Sequence, residues 1–226
     1  MRVKICGIRQ PDQGRAIAQL GATALGFICT TQSPRYVTPS EIRTVVDALP
    51  RDNANQLTVD RVGVFVDASI DDIQRTVESG GLNAVQLHGH ETPEFCAQLR
   101  NALPAVELIK AFRVRSPETL AETQAFSSGV DTFLLDAYHP HLMGGTGHTI
   151  NWADLEAFES DRPWFLAGGL TPSNVVEAVT ALQPNGIDVS SGVERSPADK
   201  DLKKVEALFQ ALQQKGSTLL RPMKNR

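Results

Sequence analysis

The sequence has few cysteines and no long apolar run, and both features exclude classes of protein. Its 226 residues include only three cysteines, Cys6, Cys29 and Cys96. This odd, widely spaced set fits neither a disulfide framework nor a paired-cysteine metal site. No apolar run reaches the roughly 18 residues of a membrane-spanning helix, and residues 1–7 lack a signal-peptide pattern. We therefore expect a cytoplasmic protein that does not bind a membrane.

Excess charge of one sign is also absent. The chain carries 22 basic and 26 acidic residues, a net charge of −4, and a pI of about 5.7. Because no basic face forms, nucleic acid is not an expected partner. The five histidines fall in predicted loops, without a further ligand at zinc spacing, so we expect no metal. They are His88, His90, His139, His141 and His148.

Several nucleotide and hydrolase motifs are missing from the sequence. It contains neither G-x-G-x-x-G nor G-x-x-x-x-G-K-[ST], the motifs of dinucleotide and nucleoside-triphosphate sites. It also lacks G-x-S-x-G, the motif around the nucleophile of many serine hydrolases. These classes of enzyme therefore have no support.

What the sequence does contain is a series of eight short apolar segments, each followed by a helical pattern. Most of these segments are apolar at nearly every position, which is typical of parallel strands buried on both faces. The predicted strands are 3–8, 24–29, 61–66, 83–87, 106–112, 131–135, 163–167 and 186–190. Eight strand–helix units favour a single (β/α)8 TIM barrel over an open doubly wound sheet, which usually has five strands. We assign the barrel to residues 1–214 and a frayed tail to 215–226.

The predicted helices begin at recurring capping signals. In Thr38-Pro39-Ser40-Glu41 a hydroxyl precedes a proline, and a glutamate follows three residues after the cap. Thr92, Ser116 and Thr171 stand in similar Thr/Ser-Pro contexts, and Ser69 is predicted to cap the helix that ends near Gly80. The final helix is predicted to bury one apolar face that begins at Leu202 and includes Leu208.

Polar side chains at the carboxyl ends of the strands are the candidates for chemistry, because active sites of barrels lie there. They are Cys6, Arg35, Gln86, His88, Asp136 and Asp188. Asp67 also follows a strand, but we interpret it as a helix cap and leave it out. Asp136 precedes a long loop, which weakens the same interpretation there. Glycine-containing loops around Gly145, Gly169 and Ser191–Gly192 predict a phosphate site built from backbone N–H groups.

Nine motifs, in order along the chain, together resemble one family. They are Lys4-Ile5-Cys6-Gly7-Ile8, Gly26-Phe27-Ile28, Ser33-Pro34-Arg35-Tyr36-Val37, Val62-Gly63-Val64-Phe65-Val66, Val85-Gln86-Leu87-His88-Gly89, Leu134-Leu135-Asp136, Gly144-Gly145-Thr146-Gly147, Leu166-Ala167-Gly168-Gly169-Leu170 and Asp188-Val189-Ser190-Ser191-Gly192-Val193-Glu194. Over residues 2–212 the chain is similar to phosphoribosylanthranilate isomerases, the (β/α)8 enzymes of tryptophan biosynthesis. It departs from them at His148, where lysine is more common, and at residues 29–32. Either change could alter loop closure or substrate affinity.

The resemblance implies a cofactor-free Amadori rearrangement of an aminoaldose to an aminoketose. The substrate would be the small molecule N-(5-phosphoribosyl)anthranilate, and the protein a monomer or a homodimer. Asp136 matches the family's general acid and Cys6 its general base. An ordinary thiol is only a few per cent ionised at neutral pH, so a local feature such as a helix N-terminus should favour the thiolate. Lys4 has the side-chain parity of Cys6 on the first strand and could lie inside the barrel beside it.

The resemblance also implies the substrate contacts. Arg35 would hold the anthranilate carboxylate, which suits a guanidinium fork. Gly145, Gly169, Ser191 and Gly192 would bind the phosphate. Gln86, His88 and Asp188, at the strand ends, would stand near the sugar, and residues 137–151 could close over the site.

Other barrels that bind phosphosugars remain as alternatives. Indole-glycerol-phosphate synthase would need a lysine–glutamate pair on its strands, and only Lys4 and Lys110 are candidate lysines. The histidine-pathway aminoaldose isomerase uses two aspartates, where this chain has Cys6 and Phe112. Ribulose-phosphate epimerase needs a metal. A non-catalytic phosphometabolite-binding barrel would be expected to lack either Cys6 or Asp136.

Overall fold

In the computed structural model, which describes residues 1–114, 117–137, 155 and 158–219, eight strands close into a barrel in chain order. All neighbouring strands of the barrel are parallel, so the predicted (β/α)8 fold is confirmed. The strands are β1 (Arg2–Cys6), β2 (Ala24–Ile28), β3 (Asp60–Phe65), β4 (Ala84–Leu87), β5 (Glu107–Val114), β6 (Thr132–Ala137), β7 (Trp164–Ala167) and β8 (Gly186–Val189).

Helices cover the outside of this barrel. In the described parts of the chain they are α1 (Pro11–Gln19), α2 (Pro39–Asp47), α3 (Ile70–Gly80), α4 (Pro93–Ala102), α5 (Pro117–Glu122), α6 (Val175–Leu182) and α7 (Leu202–Leu219), with 3-10 turns at Thr123–Phe126 and Ser191–Val193. A short antiparallel hairpin, β9 (Glu194–Ser196) and β10 (Asp199–Lys200), follows the last barrel strand. No helix in these ranges is long and apolar enough to cross a membrane.

The helix starts largely follow the predicted caps. Thr38 forms a complete capping box with Glu41, and the side chains of Ser69 and Thr92 accept backbone N–H groups of α3 and α4. The predicted start at Thr171 is wrong, because residues 171–174 form a turn and α6 begins at Val175. The Asn174 side chain holds this turn with two hydrogen bonds: its Oδ1 accepts the Thr171 N–H at 2.8 Å, and its Nδ2 donates to the Gly169 carbonyl at 3.0 Å. The cap predicted at Ser116 lies outside the described residues.

The last helix differs from its prediction at both ends. Leu202 is 38% exposed rather than buried, whereas Val205 and Leu208 are fully buried. At its other end α7 continues to Leu219, past the boundary predicted at 214. Residues 220–226 lie outside the described ranges.

Side chains alternate along the strands between two cores. A large core lies between the sheet and the helices and includes Val3 and Ile5 of β1. A smaller one fills the barrel interior with mainly small or branched side chains: Ala24, Val62, Ala84, Ile109, Ala111, Leu134, Phe165 and Ala167. Because parity alternates, Lys4 and Cys6 point into the barrel, as their spacing predicted. The inner core thus forms a floor beneath the open, carboxyl-terminal end of the strands.

Candidate active site

A cavity of about 590 Å³ opens at the carboxyl-terminal end of the barrel. Every predicted site residue within the described ranges lines it. These are Cys6, Arg35, Gln86, His88, Asp136, Gly169, Asp188, Ser191 and Gly192. Gly145 lies outside the described residues. Closure of the barrel therefore gathers side chains from strands far apart in the chain into one site.

Cys6 ends β1 and points into this cavity from its floor, and Lys4 lies directly below it. Both side chains are packed against Gly26 of β2, the register partner of Cys6. A Cβ atom at position 26 would stand 2.6 Å from the Cys6 Sγ and 3.1 Å from the Lys4 Cε. A glycine is therefore required at position 26, because any larger residue would displace the thiol or the lysine.

Burial raises the pKa of the Cys6 thiol above its ordinary value, and the nearby Asp188 carboxylate raises it further. The ammonium groups of Lys4 and Lys200 act in the opposite direction, and Lys4 has the larger effect of the two. Two lysine ammonium groups thus favour the thiolate, and one of them is Lys4, which the strand parity had placed beside Cys6. The two lysines reduce the effect of burial without overcoming it.

Lys4 is the charged group at the centre of the barrel. It is 0% exposed, and its Nζ lies 2.8 Å from the Asp188 Oδ2 and 2.8 Å from the Gln86 Oε1. Although burial opposes its charge, Asp188 and Cys6 raise the pKa of Lys4, so it stays an ammonium ion. The other oxygen of Asp188, Oδ1, is buried and accepts no hydrogen bond among the described residues. It is therefore an unsatisfied buried acceptor on a side chain that lines the cavity.

Asp136 stands at the rim, near the end of β6, on the register of Arg113 and Ala167. Its side chain is 36% exposed, and its Oδ2 lies 3.7 Å from the His88 Nε2. His88 in turn meets Gln86, whose Nε2 is 2.8 Å from the His88 Nδ1. The carboxyl of Asp136 can therefore exchange a proton with a ligand in the cavity while its other oxygen faces the imidazole.

Arg35 makes a strong contact that the sequence analysis missed. Its Nε lies 2.9 Å from the Glu194 Oε1 and its Nη2 lies 2.6 Å from the Oε2. Lys200, also 0% exposed, donates to the same carboxylate at 2.7 Å. Although burial alone would raise it, the hydrogen bonds from Arg35 and Lys200 lower the pKa of Glu194. One edge of the guanidinium fork is thus occupied by the protein, which leaves Nη1 as the nitrogen not engaged by Glu194.

The loops after β7 and β8 form one wall of the cavity. Gly168 and Gly169 have φ angles of +96° and +64°, which L side chains rarely adopt. A Cβ atom on Gly192 would lie 1.9 Å from the Leu170 carbonyl oxygen, so the two loops touch backbone to backbone. Among the described residues, the N–H groups of Gly169 and Ser191 donate to no protein acceptor. This wall presents the backbone donors that a phosphate group needs.

The interpretation of Asp67 as a helix cap is wrong. Ser69 caps α3, while Asp67 adopts a φ of +49° and accepts the His90 N–H through its Oδ1. The carboxylate thus joins two neighbouring loops outside the cavity. The backbone N–H of Asp67 donates to Glu91, which forms a buried ion pair with Lys110 at 2.7 Å.

Several cavity residues were not predicted. Thr30 and Ser33 line the cavity beside Arg35. Glu194 belongs to the last of the nine motifs and was available as a signal, but its partner Arg35 lies 159 residues away in the chain. No group of three or more His, Cys, Asp and Glu side chains that could hold a metal occurs in the described ranges.

Comparison with known proteins gives a family match over almost the whole chain. The family described as N-(5'phosphoribosyl)anthranilate (PRA) isomerase matches residues 3–211. An N-(5'-phosphoribosyl)anthranilate isomerase from Acaryochloris marina is 61% identical over 210 residues, covering 93% of this chain and 97% of the relative. One from Rippkaea orientalis is 59% identical over 214 residues, covering 95% and 97%.

Solved structures agree. The crystal structure of phosphoribosyl anthranilate isomerase from Thermotoga maritima superposes with a TM-score of 0.82 at 33% identity, covering 95% of this chain and 99% of that one. A second crystal structure of such an isomerase, in complex with reduced 1-(o-carboxyphenylamino)-1-deoxyribulose 5-phosphate, gives a TM-score of 0.79 at 31% identity, covering the same shares of the two chains.

Proposed function

Because the chain belongs to the N-(5'-phosphoribosyl)anthranilate isomerase family, we propose that its Cys6 thiol and Asp136 carboxyl are the base and the acid of this isomerisation. The reaction converts an aminoaldose to an aminoketose in tryptophan biosynthesis. The observation that carries the residue assignment is that both groups line one cavity, together with the backbone donors of the β7 and β8 loops. A thiol and a carboxyl facing one bound sugar can move protons at two of its atoms.

The first step opens the furanose ring. Asp136 gives its proton to the ring oxygen, the bond from that oxygen to C1 breaks, and the lone pair of the anthranilate nitrogen forms a C1=N iminium. Asp136 is left as a carboxylate. Its partly exposed position at the rim suits a group that must exchange protons in each turnover.

The second step removes the proton from C2. The Cys6 thiolate takes this proton, the C–H electron pair forms a C1=C2 bond, and the iminium electrons return to nitrogen. The resulting enolamine tautomerises to the aminoketose by losing the hydroxyl proton at C2 and gaining one at C1, so no atom is gained or lost overall. Lys4 and Lys200 stabilise the thiolate that starts this step.

The remaining contacts bind the ends of the substrate. The N–H groups of Gly169, Ser191 and Gly192 bind the phosphate, which fixes one end of the sugar at the loops after β7 and β8. The Asp188 carboxylate, which lines the cavity beside Lys4, accepts a sugar hydroxyl. Arg35 binds the anthranilate carboxylate through Nη1 while Glu194 holds the other edge of the guanidinium.

The experiment is an isomerase assay that follows the loss of phosphoribosylanthranilate fluorescence. Cys6→Ala and Asp136→Asn should each lower kcat by about 10²–10⁴-fold, the usual contribution of a proton-transfer group. Cys96→Ala is the matched control, because Cys96 is buried in α4 and does not line the cavity. Wild-type kcat in Cys6→Ala would overturn the assignment of the base.

A further inference from the structure

Four side chains form a line from the interior of the barrel to its rim. The Lys4 Nζ lies 2.8 Å from the Gln86 Oε1, and the Gln86 Nε2 lies 2.8 Å from the His88 Nδ1. The line ends where the His88 Nε2 faces the Asp136 Oδ2 at 3.7 Å. Only these last two side chains are appreciably exposed, at 20% and 36%, whereas Lys4 and Gln86 are buried. The buried part of the line is therefore held rigidly by packing.

The chemistry of the first group fixes the direction of every hydrogen bond in the line. An ammonium group has only donors, so the atom of Gln86 that faces Lys4 must be its oxygen. The other end of that amide is then an NH₂ group, which can only donate. The Nδ1 of His88 must therefore carry a lone pair, and the proton of the neutral ring resides on Nε2, which faces Asp136.

We propose that Lys4 and Gln86 hold His88 as its Nε2–H tautomer, and that His88 is a positioning residue for the carboxyl of Asp136. This inference rests on the proposed function, because it takes Asp136 to be the acid. At 3.7 Å the two groups lie just beyond hydrogen-bond length, and a small rotation of either exposed side chain brings them into contact.

The contact has two consequences for the reaction. With Oδ2 engaged by the Nε2–H group, the acidic proton resides on Oδ1 and can be directed at the ring oxygen of the sugar. Once that proton has left, the same N–H group stabilises the carboxylate that forms. His88 therefore contributes in the transition state rather than to substrate binding alone, which predicts an effect on kcat.

The proposal also changes the role of Gln86. The sequence suggested a substrate contact, but this side chain is 1% exposed, and both ends of its amide are occupied by Lys4 and His88. Gln86 then acts through His88. Its identity matters because glutamate, which has nearly the same shape, offers only acceptors to the imidazole.

The first test reads the tautomer directly by ¹⁵N NMR of the imidazoles in the full-length protein at pH 8, where an ordinary histidine is neutral. The His88 signals are assigned from their loss in His88→Gln. We expect a protonated Nε2 and an unprotonated Nδ1. A protonated Nδ1 in the wild type would overturn the proposal, whatever the activity of the enzyme.

The second test reverses the direction of the hydrogen bond between residue 86 and His88. In Gln86→Glu the carboxylate accepts from His88, so the proton should move to Nδ1 or the ring should become doubly protonated. A spectrum identical to that of the wild type would contradict the proposal. If this variant fails to fold, the measurement on the wild type still decides the matter.

The third test compares His88→Met with His88→Gln. Both side chains are unbranched and of similar length, but only the glutamine places an N–H donor at the level of Nε2. We expect kcat to fall by about 10- to 100-fold in His88→Met, the range for a hydrogen bond to a charged group, with KM changed less than about threefold. In His88→Gln, kcat should stay within about threefold of the wild type.

The outcomes separate this inference from the proposed function. Equal losses of kcat in the two His88 variants, or a rise in KM alone, would show that the N–H donor has no role in positioning. Full activity in Asp136→Asn would instead remove the proposed acid, while the NMR measurement would still report the tautomer.

Discussion

Replacing Lys4, the buried lysine below Cys6, tests the charge interactions on which the site depends. Lys4→Met keeps most of the side-chain volume but removes the ammonium group that hydrogen-bonds to Gln86 and Asp188, each at 2.8 Å. Removing one member of a buried ion pair typically costs about 3–5 kcal/mol. The second oxygen of Asp188 accepts no hydrogen bond from the described part of the chain, so its carboxylate would be poorly compensated.

The Lys4→Met variant can limit this loss of stability by protonating Asp188. The free-energy cost of that protonation therefore sets an upper bound on the loss. The uncompensated carboxylate can take up a proton, and doing so at pH 7 costs an ordinary aspartate about 4 kcal/mol, since three pH units at about 1.4 kcal/mol each separate pH 7 from its pKa. We therefore expect Lys4→Met to lower the free energy of unfolding by about 3–4 kcal/mol at pH 7. The deficit relative to the wild type should shrink to about 1.5 kcal/mol at pH 5, because protonation becomes easier there.

The measurement is urea unfolding at the two pH values, followed by circular dichroism. The matched control is Lys4→Met combined with Asp188→Asn, which removes both charges and should recover much of the loss at pH 7. A deficit below about 1 kcal/mol at pH 7, or one that does not change with pH, would refute the reasoning.

Three further predictions concern the rim and the floor of the cavity. Because burial raises the pKa of Cys6, the rate at which iodoacetamide alkylates the Cys6 thiol should still rise with pH above about 8.5, and a rate already constant from pH 6 would contradict this. Glu194→Gln should lower the free energy of unfolding by about 2–4 kcal/mol at pH 7. Because the pKa of Glu194 is lowered on folding, this difference should begin to shrink as the pH falls below about 4.3, the ordinary pKa of a glutamate, and should go on shrinking towards the folded-state pKa; urea unfolding that shows the same difference at pH 7 and pH 3 would contradict this. Gly192→Ala should raise KM by about tenfold or more, because its Cβ would lie 1.9 Å from the Leu170 carbonyl oxygen and must push the two loops apart; an unchanged KM would exclude this wall as the phosphate site.

Much of the fold follows from local patterns. Strands apolar on both faces, Thr/Ser-Pro caps and the strand–helix alternation suffice to predict eight units, and the structure confirms the resulting barrel. The predicted helix caps were wrong where the capping side chain has a different hydrogen-bond partner in the folded protein. The Thr171 hydroxyl meets the Ser173 hydroxyl instead of capping a helix, and α6 starts later, at Val175. At Asp67 a neighbouring loop takes the carboxylate that could have capped a helix.

The candidate residues at the strand ends were also accessible from the sequence, because the side-chain period of a strand decides which residues face inward and the strand direction decides which end carries the site. Cys6 and Lys4 share a face for this reason alone. What could not be read was which side chains meet. Lys4 contacts Gln86 and Asp188, which lie 82 and 184 residues away in the chain.

The sequence by itself therefore determined the number and polarity of the strands, the inward-facing positions and the set of chemical groups at one end of the barrel. Only the closed tertiary structure decided the partners of those groups: the lysines beside the thiol, the carboxylate that takes one edge of Arg35, and the amide that orients His88. The physical reason is that propensity and periodicity act between near neighbours in the chain. Charge pairing and burial depend instead on distances across the barrel, which are defined only when β8 pairs with β1.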